Sequence, residues 1–132
     1  MNKRIRIAAI IIKNHKILLV KGSAKEYWTP GGKREEGESD LGCLKRELSE
    51  ELNLKLVSAK FFGEYSAPSF YNANTISESH IYLAKVTGKI KTGNEIKKYA
   101  WMSKQAYKNN KYPLITATRD GVIPDLIKAG YF

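Results

Sequence analysis

"LKRELSEELNL", residues 44–54, carries Glu47, Glu50 and Glu51 within about one and a half helical turns. The leucines write the helix. Leu41, Leu44, Leu48 and Leu52 recur at helical spacing and fall on one arc at about 100° per residue. Ser39 and Asp40 suit an N-terminus, so a helix is expected over 40–52. Glu47 precedes Glu50 by three residues and Glu51 by four, and like charges at that spacing repel. A solvated acidic face would relieve them with lysines at i+4, but positions 51 and 54 are Glu and Leu. Arg46, four residues before Glu50, is expected to hold that carboxylate as a bidentate ion pair. The remaining repulsion is relieved by a hard divalent cation such as Mg²⁺, which takes a few carboxylates and keeps water and phosphate oxygens as its other ligands.

The preceding loop, "PGGKREEGES" (30–39), strengthens the reading. Gly31 and Gly32 let backbone approach a ligand closely, Lys33 and Arg34 are placed to meet phosphate charge, and Glu38 stands just before the helix. Gly32, five residues, Glu38, seven residues, then Arg46-Glu47-Leu48-Ser49-Glu50-Glu51-Leu52-Asn53-Leu54 resembles the Nudix box, G-x5-E-x7-R-E-U-x-E-E-x-G-U with U aliphatic. Every fixed position over 32–54 agrees except the last glycine, which is Asn53 here. That residue ends the helix in left-handed backbone, for which Asn is the next-best choice after Gly.

The resemblance implies an α/β (α+β) fold, the Nudix-type α/β/α sandwich with a mixed β-sheet between helices, as one domain over 1–132. It also implies a pyrophosphohydrolase in which water attacks phosphorus in a nucleoside diphosphate linked to another group, assisted by Mg²⁺ or Mn²⁺. Nucleoside triphosphates (oxidised ones included), ADP-ribose and dinucleoside polyphosphates are the candidate substrates. On the resemblance, Glu47 and Glu51 are metal ligands, and Glu50 is either a third ligand or the base. Glu38 supports the site, the carbonyl of Gly31 or Gly32 is a further ligand, and Arg46 orients a glutamate. Family members often take another base or ligand from a late loop, where "TGNEIKKYAW" offers Glu95, with Glu78 as the alternative. Homodimers are frequent in the family, so a homodimer is an expected partner state. Two other functions remain open: pyrophosphate or cap removal at RNA 5′ ends, and nucleotide or RNA binding without turnover. The second is disfavoured because Glu47, Glu50 and Glu51 are all kept.

Composition agrees with one compact domain that favours anions. Lys+Arg exceeds Asp+Glu by 23 to 13 in 132 residues, a net charge of +10. Such a charge suits nucleotides, other phosphates and RNA, and lysines 85, 89, 91, 97 and 98 offer a patch for a phosphate backbone. The longest apolar run, Ile7 to Ile12, is far too short to span a bilayer, so no membrane partner is expected. The start, "MNKRIRIAAIIIKN", lacks a small-residue cleavage site and reads as a first strand. The single cysteine, Cys43, forms no internal disulfide, suits a reducing compartment and points to the cytoplasm.

Strands are expected at 4–12 and 17–22 as a hairpin, then at 55–67, 79–88 and 97–103, the last leading into a short helix. Residues 23–39 read as loop, and the C-terminus as a helix disturbed by Gly121 and Pro124. His15 and His80 lack metal-ligand spacing to the glutamates, and Cys43 reads as a packing residue. Tyr27, Trp28, Tyr65, Phe70 and Tyr71 could stack on a base, but packing is the commoner role for strand aromatics.

Overall fold

The apolar runs "IAAIII" and "ILLV" have no polar face, which suits strands covered on both sides. They form the centre of the molecule. The computed structural model describes residues 2–68 and 74–132. Strand β1 (Asn2–Ile10) sends Ile7 and Ala9 into one core and Ala8 and Ile10 into another. Strand β3 (Lys16–Lys21) does the same with Leu18 and Val20 against Ile17 and Leu19. One core is closed by helix α1 (Asp40–Leu52) through Cys43, Leu44, Leu48 and Leu52. The other is closed by Met102, Leu114, Val122, Ile123 and Leu126 from the C-terminal third.

Two sheets share this sandwich. The first runs β4 (Gly31–Lys33), β1, β6 (Thr75–Thr87), β5 (Lys55–Pro68), with β1 parallel to β6 and the other pairs antiparallel. The second is antiparallel, β2 (Ile12–Lys13), β3 and β7 (Lys98–Ser103). Helix α2 (Lys104–Lys108) follows β7. Gly121 lies in a π-helical segment, Thr118–Val122, that runs directly into α3 (Ile123–Lys128), with Pro124 just past the junction, so the C-terminal helix is disturbed where those two residues fall. The expected mixed sheet between helices is therefore present.

Helix α1 has the expected limits because both ends are capped. Ser39 Oγ accepts from the Gly42 N–H at 3.0 Å. Asn53 adopts φ 57° and its N–H bonds Ser49 O, an αL stop, with the Leu54 N–H closing onto Leu48 O. Leu41 departs from expectation. It is 49% exposed because the sheet face under α1 is met by Leu44, Leu48 and Cys43 instead.

Residues 31–33, expected as loop, form a short edge strand. Gly31 and Gly32 face Ala8 and Ile7 across the β1 ladder. A Cβ on Gly31 would fall 1.9 Å from Ile7 O, and one on Gly32 would fall 2.4 Å from Glu47 Cδ. The two glycines thus let the backbone lie against β1 on one side and the Glu47 carboxyl on the other.

Candidate active site

The geometry joins the glycine strand to the glutamate helix through Arg46. Its Nε and Nη2 donate to the two oxygens of Glu38 at 2.7 and 3.0 Å, and Nη1 donates to Glu47 Oε1 at 2.9 Å. The bidentate partner is therefore Glu38, not Glu50, whose Oε2 lies 3.5 Å from Nη1. The physical reason is competition. Glu38 is held in the loop with its side chain 17% exposed, while the Glu50 side chain is 47% exposed. The Arg46 hydrogen bond, with help from the Glu35 backbone, holds the Glu38 carboxyl down at about 2, and Glu38 in turn raises the pKa of Arg46.

Glu51 is the exceptional carboxylate. It is only 4% exposed, and its Oε1 is buried without a hydrogen-bond partner. Burial first, and neighbouring Glu47 second, push its pKa up to about 9. A buried oxygen without a donor, beside a second carboxylate that fills the place of a Gly32 side chain, fits a hard divalent ion. All the available donors are oxygens, which suits Mg²⁺ or Mn²⁺ rather than a thiolate-seeking metal.

The helix end draws in a third segment. Lys91 N–H bonds Leu52 O at 3.0 Å and Gly93 N–H bonds Glu51 O at 2.9 Å, satisfying the last carbonyls of α1. This loop brings Glu95 close enough for its charge to act on Glu51. Glu78 is elsewhere. It belongs to a separate polar group with Glu64, His80, Asp40, Tyr82, Lys3 and Arg34.

In that group His80 bridges Asp40 Oδ2 at 2.9 Å and Glu78 Oε1 at 3.2 Å, in the middle of β6 and not at its start. Lys3 Nζ stands 2.8 Å from Glu78 Oε2, an ion pair without hydrogen-bond alignment. Ligand atoms of Glu64, Glu78 and His80 lie within 4.8 Å of one another, but Lys3, His80 and Arg34 already balance the carboxylates. The group ties the first residue of α1 to β6. Spacing in the sequence gave no hint of it, because its members come from four distant segments.

Of the two cations expected at phosphate, Lys33 is exposed, whereas Arg34 Nη1 is committed to Asp40 Oδ1 at 2.6 Å. Cys43 is fully buried, with Sγ 3.6 Å from Gly32 O, and burial pushes its thiol up to about 12. It packs, and it is no nucleophile. Tyr27 packs edge-on to Tyr112, Trp28 lies against the α1 core, and Tyr65 donates to Asp125 at 2.6 Å, so packing accounts for all three. Phe70 and Tyr71 lie outside the described residues. Lysines 85, 89, 91, 97 and 98 are all exposed. Among the described residues no helix is long and apolar enough to cross a membrane.

One basic residue near the carboxylates was not singled out in the sequence. Arg6 Nη2 donates to Thr29 O, and the charges of Glu51 and Glu47 act on the guanidinium. Its sequence signal was weak, because Lys3 and Arg4 precede it in the same basic start of β1.

Comparison with known proteins bears on the fold and the family. An 8-oxo-dGTP diphosphatase from Buchnera aphidicola is 46% identical over 61 residues, covering 42% of this chain and 47% of that enzyme. A yeast m7GpppN-mRNA hydrolase (Saccharomyces cerevisiae) is 32% identical over 128 residues, covering 86% of this chain but 13% of that enzyme. The chain thus spans half or less of the length of these relatives. The crystal structure of a MutT Nudix hydrolase from Burkholderia pseudomallei superposes with a TM-score of 0.77 at 25% identity, over 90% of this chain and 95% of that one. The NUDIX domain family model matches residues 2–126, and the chain belongs to that family.

Proposed function

We propose that the chain is a Mg²⁺-dependent pyrophosphohydrolase of nucleoside diphosphate derivatives. The observation that carries this is Glu51, a buried carboxylate with an unpartnered oxygen beside Glu47, whose own carboxyl rests against Gly32. Glu47, Glu50, Glu51 and the Gly31 carbonyl would hold the metal. When bound, the ion neutralises the bridging phosphate oxygens and lowers the pKa of the attacking water. Water adds to phosphorus, the P–O anhydride bond breaks, and the products are a phosphomonoester and the phosphorylated leaving group. The water proton passes to Glu50 or Glu95, the two exposed carboxylates of the set. Arg46 and Glu38 fix Glu47, and Lys33 is free to meet the substrate phosphates.

A nucleoside triphosphate is the favoured substrate, supported by the likeness to the 8-oxo-dGTP diphosphatase across the region it shares. RNA 5′ ends are the second reading. The exposed Lys89, Lys91 and Lys97 flank Glu95 on the loop that caps α1, where a strand leaving the site would pass. The free, buried Cys43 suits a cytoplasmic, reducing setting. The test is phosphate or pyrophosphate release from a panel of nucleotides and a triphosphorylated RNA, with Mg²⁺, for wild type and Glu51→Gln. Turnover lost by about 100-fold or more in Glu51→Gln is expected. Absence of Mg²⁺-dependent release from every substrate by the wild type would end the proposal.

A further inference from the structure

Arg6 sits in the middle of β1, paired with Lys33 in β4 and Ser79 in β6. It is the β1 neighbour of Ile7, whose partner Gly32 carries the Glu47 carboxyl on the α1 side, and alternation starts the Arg6 side chain from the other face, toward Thr29. Nη2 is anchored on the carbonyl of buried Thr29, two residues before Gly31. A guanidinium carries five N–H donors, and among the described residues this is the one hydrogen bond it makes. The other cations near the carboxylates are differently placed. Arg46 is committed to Glu38 and Glu47, Arg34 to Asp40, and Lys33 stands out in solvent.

Charge balance decides what Arg6 is for. Burial works against the Arg6 charge, and the neighbouring Glu51 and Glu47 positions partly counter that effect. Once a divalent ion takes those carboxylates, a fixed cation beside it raises the energy of the site. An anion entering between them restores balance, and a phosphate suits the planar fork of an arginine.

We infer that Arg6 is a substrate-phosphate ligand: anchored on Thr29 O, it turns its remaining N–H groups to a non-bridging oxygen of the diphosphate that the metal does not hold. This rests on the pyrophosphohydrolase reading above and adds to it a residue outside the box. One consequence is coupling. Arg6 opposes metal alone and favours metal with nucleotide, so the two ligands bind cooperatively.

The experiment compares wild type, Arg6→Gln and Arg6→Lys in two titrations. Mn²⁺ alone is followed by its paramagnetic resonance signal, and a non-hydrolysable α,β-imido nucleoside triphosphate is titrated with saturating Mg²⁺. Arg6→Gln should bind Mn²⁺ as well as or better than wild type, bind the analogue about 10- to 100-fold more weakly, and show a matching rise in KM. Arg6→Lys should recover part of the analogue affinity. Analogue binding within twofold of wild type in Arg6→Gln overturns the inference. So does a parallel loss of Mn²⁺ and analogue binding that tracks a fall in Tm, the mark of a strand tether only. The two proposals fail separately. A wild type without turnover ends the hydrolase reading while analogue binding still reports on Arg6, and an active wild type with an indifferent Arg6→Gln removes Arg6 alone.

Discussion

At the scale of single residues, the site depends on a fork. Arg46 spends Nε and Nη2 on Glu38 and Nη1 on Glu47, so one planar group sets the position of a loop and of a proposed ligand together. Lysine keeps the charge but offers a single point, and cannot hold both carboxylates at those angles. Arg46→Lys should therefore fold normally and lose about 10- to 100-fold in kcat, the usual cost of removing a group that orients a metal ligand. Steady-state kinetics with a thermal melt check this, and a variant with wild-type kcat would show that Arg46 is dispensable. The residues themselves were legible in the sequence because the helical spacing of Glu47, Glu50 and Glu51 is a local property. The pairing was not. The i, i+4 rule assigned Arg46 to Glu50, whereas the loop that brings Glu38, eight residues earlier, onto Arg46 is set by packing. Arg6 stayed hidden for the same reason, since only the sheet brings β1 beside the helix carboxylates.

At the scale of elements, α1 and β4 mark the two extremes. Helix α1 runs over the residues expected because periodicity, an N-cap and a left-handed Asn53 all agree. Strand β4 is three residues, two of them glycine, and exists only because β1 offers it a partner. Its glycines should fail differently. Gly31 has φ 149°, and an added Cβ would meet main-chain oxygen, which cannot yield without breaking the β1 ladder. Gly31→Ala should cost about 2 kcal/mol or more in urea unfolding. Gly32 has no such backbone demand, and its Cβ would meet the end of the Glu47 side chain. Gly32→Ala should keep most of the stability and lose about 10- to 100-fold in activity, because Glu47 is displaced rather than the strand. Equal stability losses in both variants would contradict this division of labour.

At the scale of the whole molecule, the sandwich was legible only through the family resemblance, and its two cores appear with the structure. Which charges those cores would enclose was not legible, and that enclosure makes stability depend on pH. Glu51 has its folded pKa raised from the ordinary 4.5, chiefly by burial, so above that value the folded chain keeps a proton that the unfolded chain has released. Stability must then fall as pH rises through this window. His80, raised above 6.5 by Asp40 and Glu78 against the opposing effect of burial, acts in the same direction. Its contribution is full below 6.5 and is lost as pH climbs through the higher folded value. Glu38 and Glu78, both held at about 2, contribute fully above 4.5 and lose that contribution only in stronger acid, so they do not oppose the trend near neutrality. Metal-free protein should therefore show a Tm that declines from about pH 5 to about pH 8. Mg²⁺ reverses the Glu51 part, because the ion binds the deprotonated carboxylate and stabilises more as pH rises. Melting curves in chelator and in saturating Mg²⁺ should thus diverge with increasing pH. Glu51→Gln should flatten the chelator curve to the His80 slope and close the gap between the two. A wild-type chelator curve that is level or rising across this range would show that the Glu51 carboxyl is not held protonated in the fold.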